Sequence, residues 1–382
     1  MKILFLQNIQ DSIGGVTIVN ISLAKAFLNH GEEVYIYSVR NTENAQKVEY
    51  PKEIQTKLIN KTEIWSCPRY NEAIKDLKEL NIKEGIGKIL KRKQYDKLLI
   101  NDYNKLKTEI LKLNPDIIIN SHYELLKAIP KEYLEKTINH YHTSFTQLLK
   151  NKSQLKFLKK YSNKILKYVW LTEESCKLAK QNGIENSITI YNPIRFSSEE
   201  ISNVKDNKTA IFLGRISKEK RLDLAVDMFS EAVKKLKSDE WTFKIYAVGE
   251  LDSKLKKKIE ENKSIFFMGR TDNPKEVLLQ SGIMLLTSEF EGLPLTVLEA
   301  NECGVPVISF NFGETAKEVI KNNTGILVEQ NNKEEYQNKL VEIMENEETR
   351  KQLSIEAKRF AKNFKIDEIQ NQWYKLFEKV KR

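Results

Sequence analysis

The chain alternates short, mostly apolar runs with longer polar or amphipathic segments along its whole length. Apolar runs of this kind are typical of parallel strands covered on both faces, and the segments between them are long enough for crossover helices. The pattern therefore predicts an α/β protein with parallel sheets. The predicted strands are Lys2–Leu6, Val34–Val39, Asp116–Asn120, Thr137–Tyr141, Tyr168–Thr172, Ser187–Tyr191, Thr209–Leu213, Thr242–Val248, Ser264–Met268, Ile283–Thr287, Val305–Ser309 and Gly325–Val328.

The length of the chain indicates two domains, because 382 residues exceed the usual size of one domain. Pro193 ends the sixth predicted strand, and a polar stretch through Asn207 precedes the next apolar run. We therefore predict a doubly wound, Rossmann-like N-terminal domain at 1–195 and a second such domain at 205–363. Residues 364–382 have the spacing of an amphipathic helix.

The cysteines Cys67, Cys176 and Cys303 are widely scattered and odd in number. Their spacing suits neither a disulfide framework nor a metal site, which favours a reducing compartment. No run approaches the length of a membrane-spanning helix, and the first residues indicate a strand rather than a signal peptide. We expect a cytoplasmic protein, with a peripheral position on the inner face of the cell membrane as an open alternative.

The net charge of +10 is concentrated in residues 1–195, while the rest of the chain is close to neutral. Residues 147–167 contain seven lysines and no acidic residue, and their apolar positions follow helical spacing. This helix face is either solvated or attracted to anionic lipid or a phosphate-bearing acceptor. No nucleic-acid recognition module is visible, so nucleic acid is not expected as a partner. The lysines are Lys150, Lys152, Lys156, Lys159, Lys160, Lys164 and Lys167.

The segment 288–300 contains two carboxylates, Glu291 and Glu299, eight positions apart across a Gly-Leu-Pro turn. It follows a predicted strand, and Glu299 falls on the next helix, so both lie where open α/β sheets bind ligands. Glycosidases also use paired acids, about 5–9.5 Å apart. Eight helical steps would separate these two by roughly 12 Å, so binding roles fit better.

Two cations, Arg215 and Lys220, follow the first strand of the predicted second domain and its Gly214. A forked guanidinium and a compact ammonium beside a helix start are suited to binding a nucleotide diphosphate. A second glycine turn, Gly14-Gly15, opens the first helix and would allow a phosphate or sugar close to the backbone.

These motifs together resemble the retaining glycosyltransferases of the GT-B fold, family 4, whose Glu-x7-Glu signature matches Glu291 and Glu299. The resemblance is detailed over 209–328 and weaker over 1–195. It implies two Rossmann-like domains facing a cleft, with a C-terminal helix that crosses back to the first domain and is anchored by Trp373. It also implies transfer of a hexosyl group from a nucleoside-diphosphate sugar, most often a UDP-sugar, to a lipid-linked or surface-glycan acceptor.

The same resemblance assigns the site residues. Arg215 and Lys220 would hold the donor diphosphate, Glu291 would face the transferred sugar, and Glu299 would accept hydrogen bonds from ribose hydroxyls. Together with His142, the first three form the predicted catalytic set. Further donor-binding residues would be Gly15, Arg270, Gly292, Leu293, Pro294, Leu295 and Thr296.

The histidine of the site has two candidates, His140 and His142, because alternation along a strand places both on one face. We favour His142, which lies later, at the strand end, and which resembles the family residue that contacts the donor sugar. A structural histidine stays the alternative. Asn192 is a lesser candidate for the site.

Metal independence is expected, because the sequence has no Asp-x-Asp and no ligand spacing among its four histidines and three cysteines. No cofactor is predicted. Two other functions remain open: a nucleotide-sugar epimerase of related fold, and a non-catalytic protein that binds sugar nucleotides or nucleic acid.

Overall fold

The structure, a computed structural model, describes residues 1–9, 14–41, 48–60, 82–236, 240–321 and 323–378. Cys67 lies outside these residues, while Cys176 and Cys303 are both free thiols in buried positions. Within the described ranges, every helix is too short or too polar to cross a bilayer.

The N-terminal half forms a seven-stranded sheet in which all neighbouring strands are parallel. Its strands are β1 (Lys2–Ile9), β2 (Glu33–Arg40), β3 (Gln55–Leu58), β4 (Ile117–Asn120), β5 (Thr137–Tyr141), β6 (Lys167–Trp170) and β7 (Ser187–Thr189). The strand order is β3-β2-β1-β4-β5-β6-β7, so the winding reverses between β1 and β4. Such a reversal opens a crevice at the carboxyl ends of the strands.

The helices of this half are α1 (Gly15–Asn29), α2 (Ile82–Leu113), α3 (Phe145–Leu149), α4 (Lys152–Ser162) and α5 (Glu173–Gln181). Helix α1 starts directly after Gly14 and is followed by Gly31, whose φ of 91° is the left-handed conformation that glycine readily adopts. Helix α5 begins at Thr172, whose hydroxyl accepts the backbone N–H of Ser175 at 3.1 Å.

The C-terminal half forms a six-stranded parallel sheet in the order β10-β9-β8-β11-β12-β13. Its strands are β8 (Thr209–Arg215), β9 (Thr242–Val248), β10 (Ile265–Gly269), β11 (Ile283–Leu286), β12 (Val307–Phe310) and β13 (Gly325–Val328). The reversal here lies between β8 and β11. Arg215 is the last residue of β8, and the segment after β11 carries Glu291.

The helices of the second half are α6 (Leu222–Leu236), α7 (Ser253–Glu260), α8 (Pro274–Leu279), α9 (Leu295–Glu302), α10 (Glu314–Val319), α11 (Lys333–Glu345), α12 (Glu347–Ala361) and α13 (Ile366–Phe377). Apolar side chains fill both faces of each sheet, as expected for parallel strands between helices. The doubly wound α/β prediction is confirmed. The domain boundaries at 195 and 205 stay a prediction.

The C-terminal helix α13 packs on the N-terminal sheet, as predicted. Trp373 is fully buried and makes edge contacts with Phe27 of α1 and His140 of β5, with ring centroids 6.4 and 5.2 Å apart. The Gln370 side chain also donates a hydrogen bond to the Ala26 carbonyl at 3.2 Å. This helix therefore ties the end of the chain to its beginning.

Candidate active site

A cleft of about 890 Å³ lies between the two halves, at the carboxyl ends of both sheets. The structure brings nearly all predicted site residues to its walls, and Glu299 is the exception. The predicted residues that line the cleft are Gly15, His142, Arg215, Lys220, Arg270, Glu291, Gly292, Leu293, Pro294, Leu295 and Thr296, together with Gly14 and Asn192.

The turn that carries Lys220 is fixed to the end of β11. Arg221 has a left-handed φ of 48° and donates from Nε to the Thr287 carbonyl at 2.7 Å. In return, the Thr287 hydroxyl bonds to the carbonyls of Lys220 and Arg221 at 3.0 and 2.9 Å. The backbone of this turn is therefore held before any ligand arrives.

Lys220 and Glu291 form an ion pair in the cleft wall, and their side chains are only 15% and 11% exposed. Ser288, itself fully buried, donates its hydroxyl to Oε1 of Glu291 at 2.7 Å. A charged pair with this little exposure is screened less than a surface pair, so its geometry is well defined. The two side chains are close enough to act on adjacent parts of one ligand.

The turn after Glu291 brings the two halves of the molecule into direct backbone contact. A Cβ added to Gly292 would lie 2.1 Å from the His142 carbonyl oxygen and 3.5 Å from the Cα of Thr143. Only glycine fits at this distance, because the clash would be with backbone rather than with a flexible side chain. A glycine is thus required in the Gly-Leu-Pro turn for a steric reason, which the sequence alone did not reveal.

Helix α9 begins directly after Pro294, with no acidic side chain in its first turn. The first backbone N–H groups of a helix have no partner within the helix, and the helix dipole adds partial positive charge there. Since Leu295 and Thr296 line the cleft, this helix start can attract an anionic group such as a phosphate.

The rings of His140 and His142 are in contact, tilted by 49° with their centroids 4.1 Å apart, and no ring nitrogen of either has a hydrogen-bond partner among the described residues. His142 lines the cleft, whereas His140 is packed against Trp373. Burial lowers the pKa of His142 to about 3, and burial together with His142 lowers the pKa of His140 well below its ordinary value. Both rings are therefore neutral at pH 7, and the geometry favours His142 as the histidine that reaches a ligand.

Glu299 is fully buried and does not line the cleft. Both of its oxygens accept from Arg195, one from Nε and the other from Nη2 at 2.6 Å. Burial raises the pKa of Glu299, and the Arg195 guanidinium opposes that rise. Ribose hydroxyls can bind this carboxylate only if the Arg195 side chain moves away from it. The predicted role of Glu299 therefore stays a prediction.

Arg195 is the site residue that sequence reasoning missed. It belongs to the segment of the chain that joins β7 to β8. Its side chain is 30% exposed, lines the cleft and forms the ion pair with Glu299. The contact spans 104 residues of sequence, and no local spacing signals it. The other two predicted cations pair with close neighbours, Arg215 with Glu219 at 3.6 Å and Arg270 with Asp272 at 2.6 Å.

The basic segment 147–167 is split between α3 and α4, and Asn151 caps α4 by accepting the N–H of Gln154 at 3.1 Å. Leu158 and Ser162 form the buried face. Lys167 lies in β6 and is half-buried. The remaining lysines are exposed: Lys150, Lys152, Lys156, Lys159, Lys160 and Lys164.

In the part of the chain that the structure describes, no three His, Cys, Asp or Glu side chains gather in a way that could hold a metal ion. Metal independence stays an expectation. The site offers cations, a helix start and several carboxylates, among them Glu291 and Glu219. This set suits an anionic ligand with a hydroxyl-rich part. Because Glu299 is buried outside the cleft, Glu291 and Glu299 cannot serve together as the two acids of a glycosidase.

Comparisons with known proteins show that the chain is similar to glycosyltransferases. Residues 194–360 match the family described as Glycosyl transferases group 1. The chain is 27% identical to an uncharacterized glycosyltransferase of Haemophilus influenzae, over 97% of both chains. It is also 26% identical to a poly(ribitol-phosphate) alpha-N-acetylglucosaminyltransferase of Staphylococcus aureus, over 63% of this chain and 49% of the relative.

A solved structure has the same fold over nearly the whole chain. It is a mutant of S. aureus TarM in complex with Fondaparinux, alpha-GlcNAc-glycerol and UDP, with a TM-score of 0.73 and 16% identity. The match covers 98% of this chain and 99% of the other. The predicted GT-B architecture is thereby confirmed.

Proposed function

We propose that the chain is a glycosyltransferase like those of the group 1 family that its residues 194–360 match, and that it moves a hexosyl group from a UDP-sugar to a glycan acceptor, with retention of configuration. The Lys220–Glu291 pair carries this proposal. It places a cation and a carboxylate side by side in the cleft wall, beside the start of α9. In a sugar nucleotide, the charged diphosphate lies next to the sugar and its hydroxyl groups, just as the cation lies next to the carboxylate in this pair.

The residues divide the chemistry as follows. Lys220, Arg215 and the N–H groups at the start of α9 stabilise the negative charge that develops on the leaving diphosphate. Glu291 and the backbone of 292–295 hold the sugar hydroxyls, and neutral His142 contacts the sugar from the N-terminal half. No enzyme nucleophile is assigned, and departure and attack take place on one face of the sugar, as in the family 4 enzymes that the motifs resemble.

Three observations support our choice of the donor base and the acceptor. The structural neighbour TarM is solved with UDP, and the S. aureus relative acts on poly(ribitol-phosphate) by its name. The exposed lysines of α4 and its flanks supply positive charge on the half that is left for the acceptor. We therefore propose a phosphate-bearing or lipid-linked surface glycan as the acceptor.

The experiment is release of nucleoside diphosphate across a panel of UDP-, GDP- and ADP-sugars, with and without a membrane lipid extract or poly(ribitol phosphate). We expect release from a UDP-sugar that the acceptor accelerates and that Glu291→Ala abolishes. Release from a GDP- or ADP-sugar alone would overturn the choice of base. Recovery of the donor with an altered sugar would instead indicate an epimerase.

A contact of the basic surface with anionic membrane is a separate part of the proposal, and vesicle sedimentation tests it. Binding that requires anionic lipid and weakens with salt would support it. Equal binding to neutral and anionic vesicles would remove the electrostatic argument, while salt-sensitive use of a phosphate-bearing acceptor would keep the lysines as an acceptor surface.

A further inference from the structure

Two glutamates of the short helix α10, Glu314 and Glu318, cross from the C-terminal half to the backbone of the N-terminal half. Glu314 accepts the backbone N–H of Phe145 on Oε1 at 3.0 Å and the hydroxyl of Ser175 on the same oxygen. The Ser175 hydroxyl is itself 3.1 Å from the Phe145 nitrogen, so the three groups form one compact cluster. Hydrogen bonds from N–H groups to a carboxylate are stronger than those between neutral groups.

The Phe145 end of this contact is rigid. Phe145 is fully buried, and its ring meets Trp170 edge-on with centroids 5.1 Å apart. Ser175 is 2% exposed and sits in the first turn of α5. Glu314 is thus hydrogen-bonded to a tightly packed part of the N-terminal half, at the first residue of α3.

Phe145 is only three residues beyond His142, the histidine of the cleft. The same short segment touches the C-terminal half a second time, where the His142 carbonyl oxygen faces Gly292 at a distance that excludes a Cβ. The segment 142–145 therefore contacts the C-terminal half at both ends: it packs closely against the turn that follows Glu291 at one end and is hydrogen-bonded to Glu314 at the other.

We propose that Glu314 is a positioning residue for transfer, which holds the segment 142–145 so that His142 is placed against the donor turn. The proposal rests on the proposed function of the cleft. Glu314 touches no substrate itself, and it acts through Phe145. Because small displacements of groups around a reacting bond cost about 10²-fold in rate, loss of this contact is expected to lower kcat while nucleotide affinity is kept.

Glu318 provides a matched control. It accepts the N–H groups of Glu173 and Glu174, each at 2.9 Å, and the hydroxyl of Tyr191 at 2.9 Å. It therefore makes a similar number of bonds between the halves, from the same helix, but it bonds no group of the segment 142–145 directly. If loss of these bonds only loosened the packing of the two halves, substitution of either glutamate would lower kcat to a similar extent.

The experiment compares Glu314→Ala, Glu314→Gln and Glu318→Ala by amide hydrogen exchange, UDP calorimetry and steady-state kinetics. We expect Glu314→Ala to speed exchange in peptides that contain the Phe145 amide, to lower kcat by about 10²-fold and to leave the Kd of UDP unchanged. Glu314→Gln retains most of kcat, since its amide oxygen still accepts from Phe145. Glu318→Ala speeds exchange at 173–174 instead and affects kcat much less.

Several results would overturn the proposal. They are a wild-type kcat in Glu314→Ala, an equal loss of kcat in Glu318→Ala, and a loss of UDP affinity that matches the loss of rate. The exchange measurement needs no substrate. Unchanged protection of the Phe145 amide in Glu314→Ala would mean that Ser175 holds this amide without Glu314, and it would overturn the proposal whatever the enzyme transfers. A wild type that binds no nucleotide would contradict the proposed function instead.

Discussion

The two halves of the molecule present different kinds of groups to the cleft. The C-terminal side offers charges that already have partners, Lys220 with Glu291 and Arg195 with the buried Glu299. The N-terminal side offers the glycines at 14–15 and the neutral ring of His142, whose nitrogens have no hydrogen-bond partner among the described residues.

The two sides of the cleft are therefore prepared for a ligand in different ways. Paired charges fix the positions of groups that must meet a charged ligand, because each side chain is held by the other. Neutral groups without partners tolerate burial at lower cost and leave their hydrogen-bonding capacity for a ligand. We infer that the C-terminal side binds the charged part of the donor and that the N-terminal side contacts its uncharged part.

The largest expected effect concerns the ion pair between Arg195 and the fully buried Glu299. Arg195→Met leaves the Glu299 carboxylate buried without its cation and should lower the free energy of unfolding by about 3–5 kcal/mol. The double variant Arg195→Met/Glu299→Leu removes the stranded charge and should regain most of that loss. Denaturant unfolding of the three proteins measures both values. Equal stability of wild type and Arg195→Met would show that the pair is not a fixed element of this side.

The cleft pair should matter for turnover more than for folding. Glu291→Ala and Lys220→Ala are each expected to lower kcat by roughly 10²-fold or more, because each group acts on charge or hydroxyls at the reacting bond. The exposed pair of Lys234 and Glu231, 2.7 Å apart, is the control, and Lys234→Ala should leave kcat unchanged. Steady-state assays with thermal melts separate the two effects. Near-wild-type turnover in either cleft variant removes its assigned role.

The contact between the two sides can be broken with a single methyl group. Gly292→Ala is expected to push the His142 backbone away and to lower kcat by about 10²-fold, because the added Cβ has no space. Gly87, on α2, has nothing within 4 Å of an added Cβ, so Gly87→Ala should be neutral or stabilising by up to about 1 kcal/mol. Unchanged kinetics in Gly292→Ala would mean that the two sides need not touch during the reaction.

The neutral histidine predicts a smaller effect, on the pH dependence of stability. Unfolded His142 gains its proton near pH 6.5, but in the folded protein burial lowers its pKa to about 3. Stability contributed by the neutral ring is therefore lost as pH falls below about 6.5. Between pH 6 and 4, His142→Gln should reduce the slope of unfolding free energy against pH by up to about 1.4 kcal/mol per unit. An identical slope in wild type and variant would contradict the buried, neutral assignment.

The strands of the core were predictable because their signal is local. Every predicted strand is present, with ends shifted by up to three residues, since buried parallel strands are continuous apolar runs. The strand that was missed, β3, reads Gln-Thr-Lys-Leu and lies at the edge of its sheet, mostly exposed. Its pairing with β2 depends on the position of the neighbouring strand and not on its own composition.

The candidate site was predictable where its residues share one turn or follow one strand. Glu291, Gly292 and Lys220 follow the carboxyl ends of β11 and β8, which are neighbours in the sheet, so strand order alone brings them together. The choice between His140 and His142 was not decided by alternation along the strand. The packing of α13 on the sheet covers His140 with Trp373 and leaves His142 in the cleft.

The sequence by itself determined the α/β class, the two parallel sheets, the amphipathic C-terminal helix and the segments that carry the cleft residues, because each rests on periodicity or short motifs. The return of that helix to the N-terminal half was expected only from the resemblance to GT-B enzymes. Only the tertiary structure decided which residues far apart in the sequence form contacts with each other. Arg195 meets Glu299 across 104 residues, and Glu314 meets Phe145 across 169. Such partners depend on how distant segments of the chain are placed against each other, and that placement is set by the packing of the whole fold rather than by any local pattern.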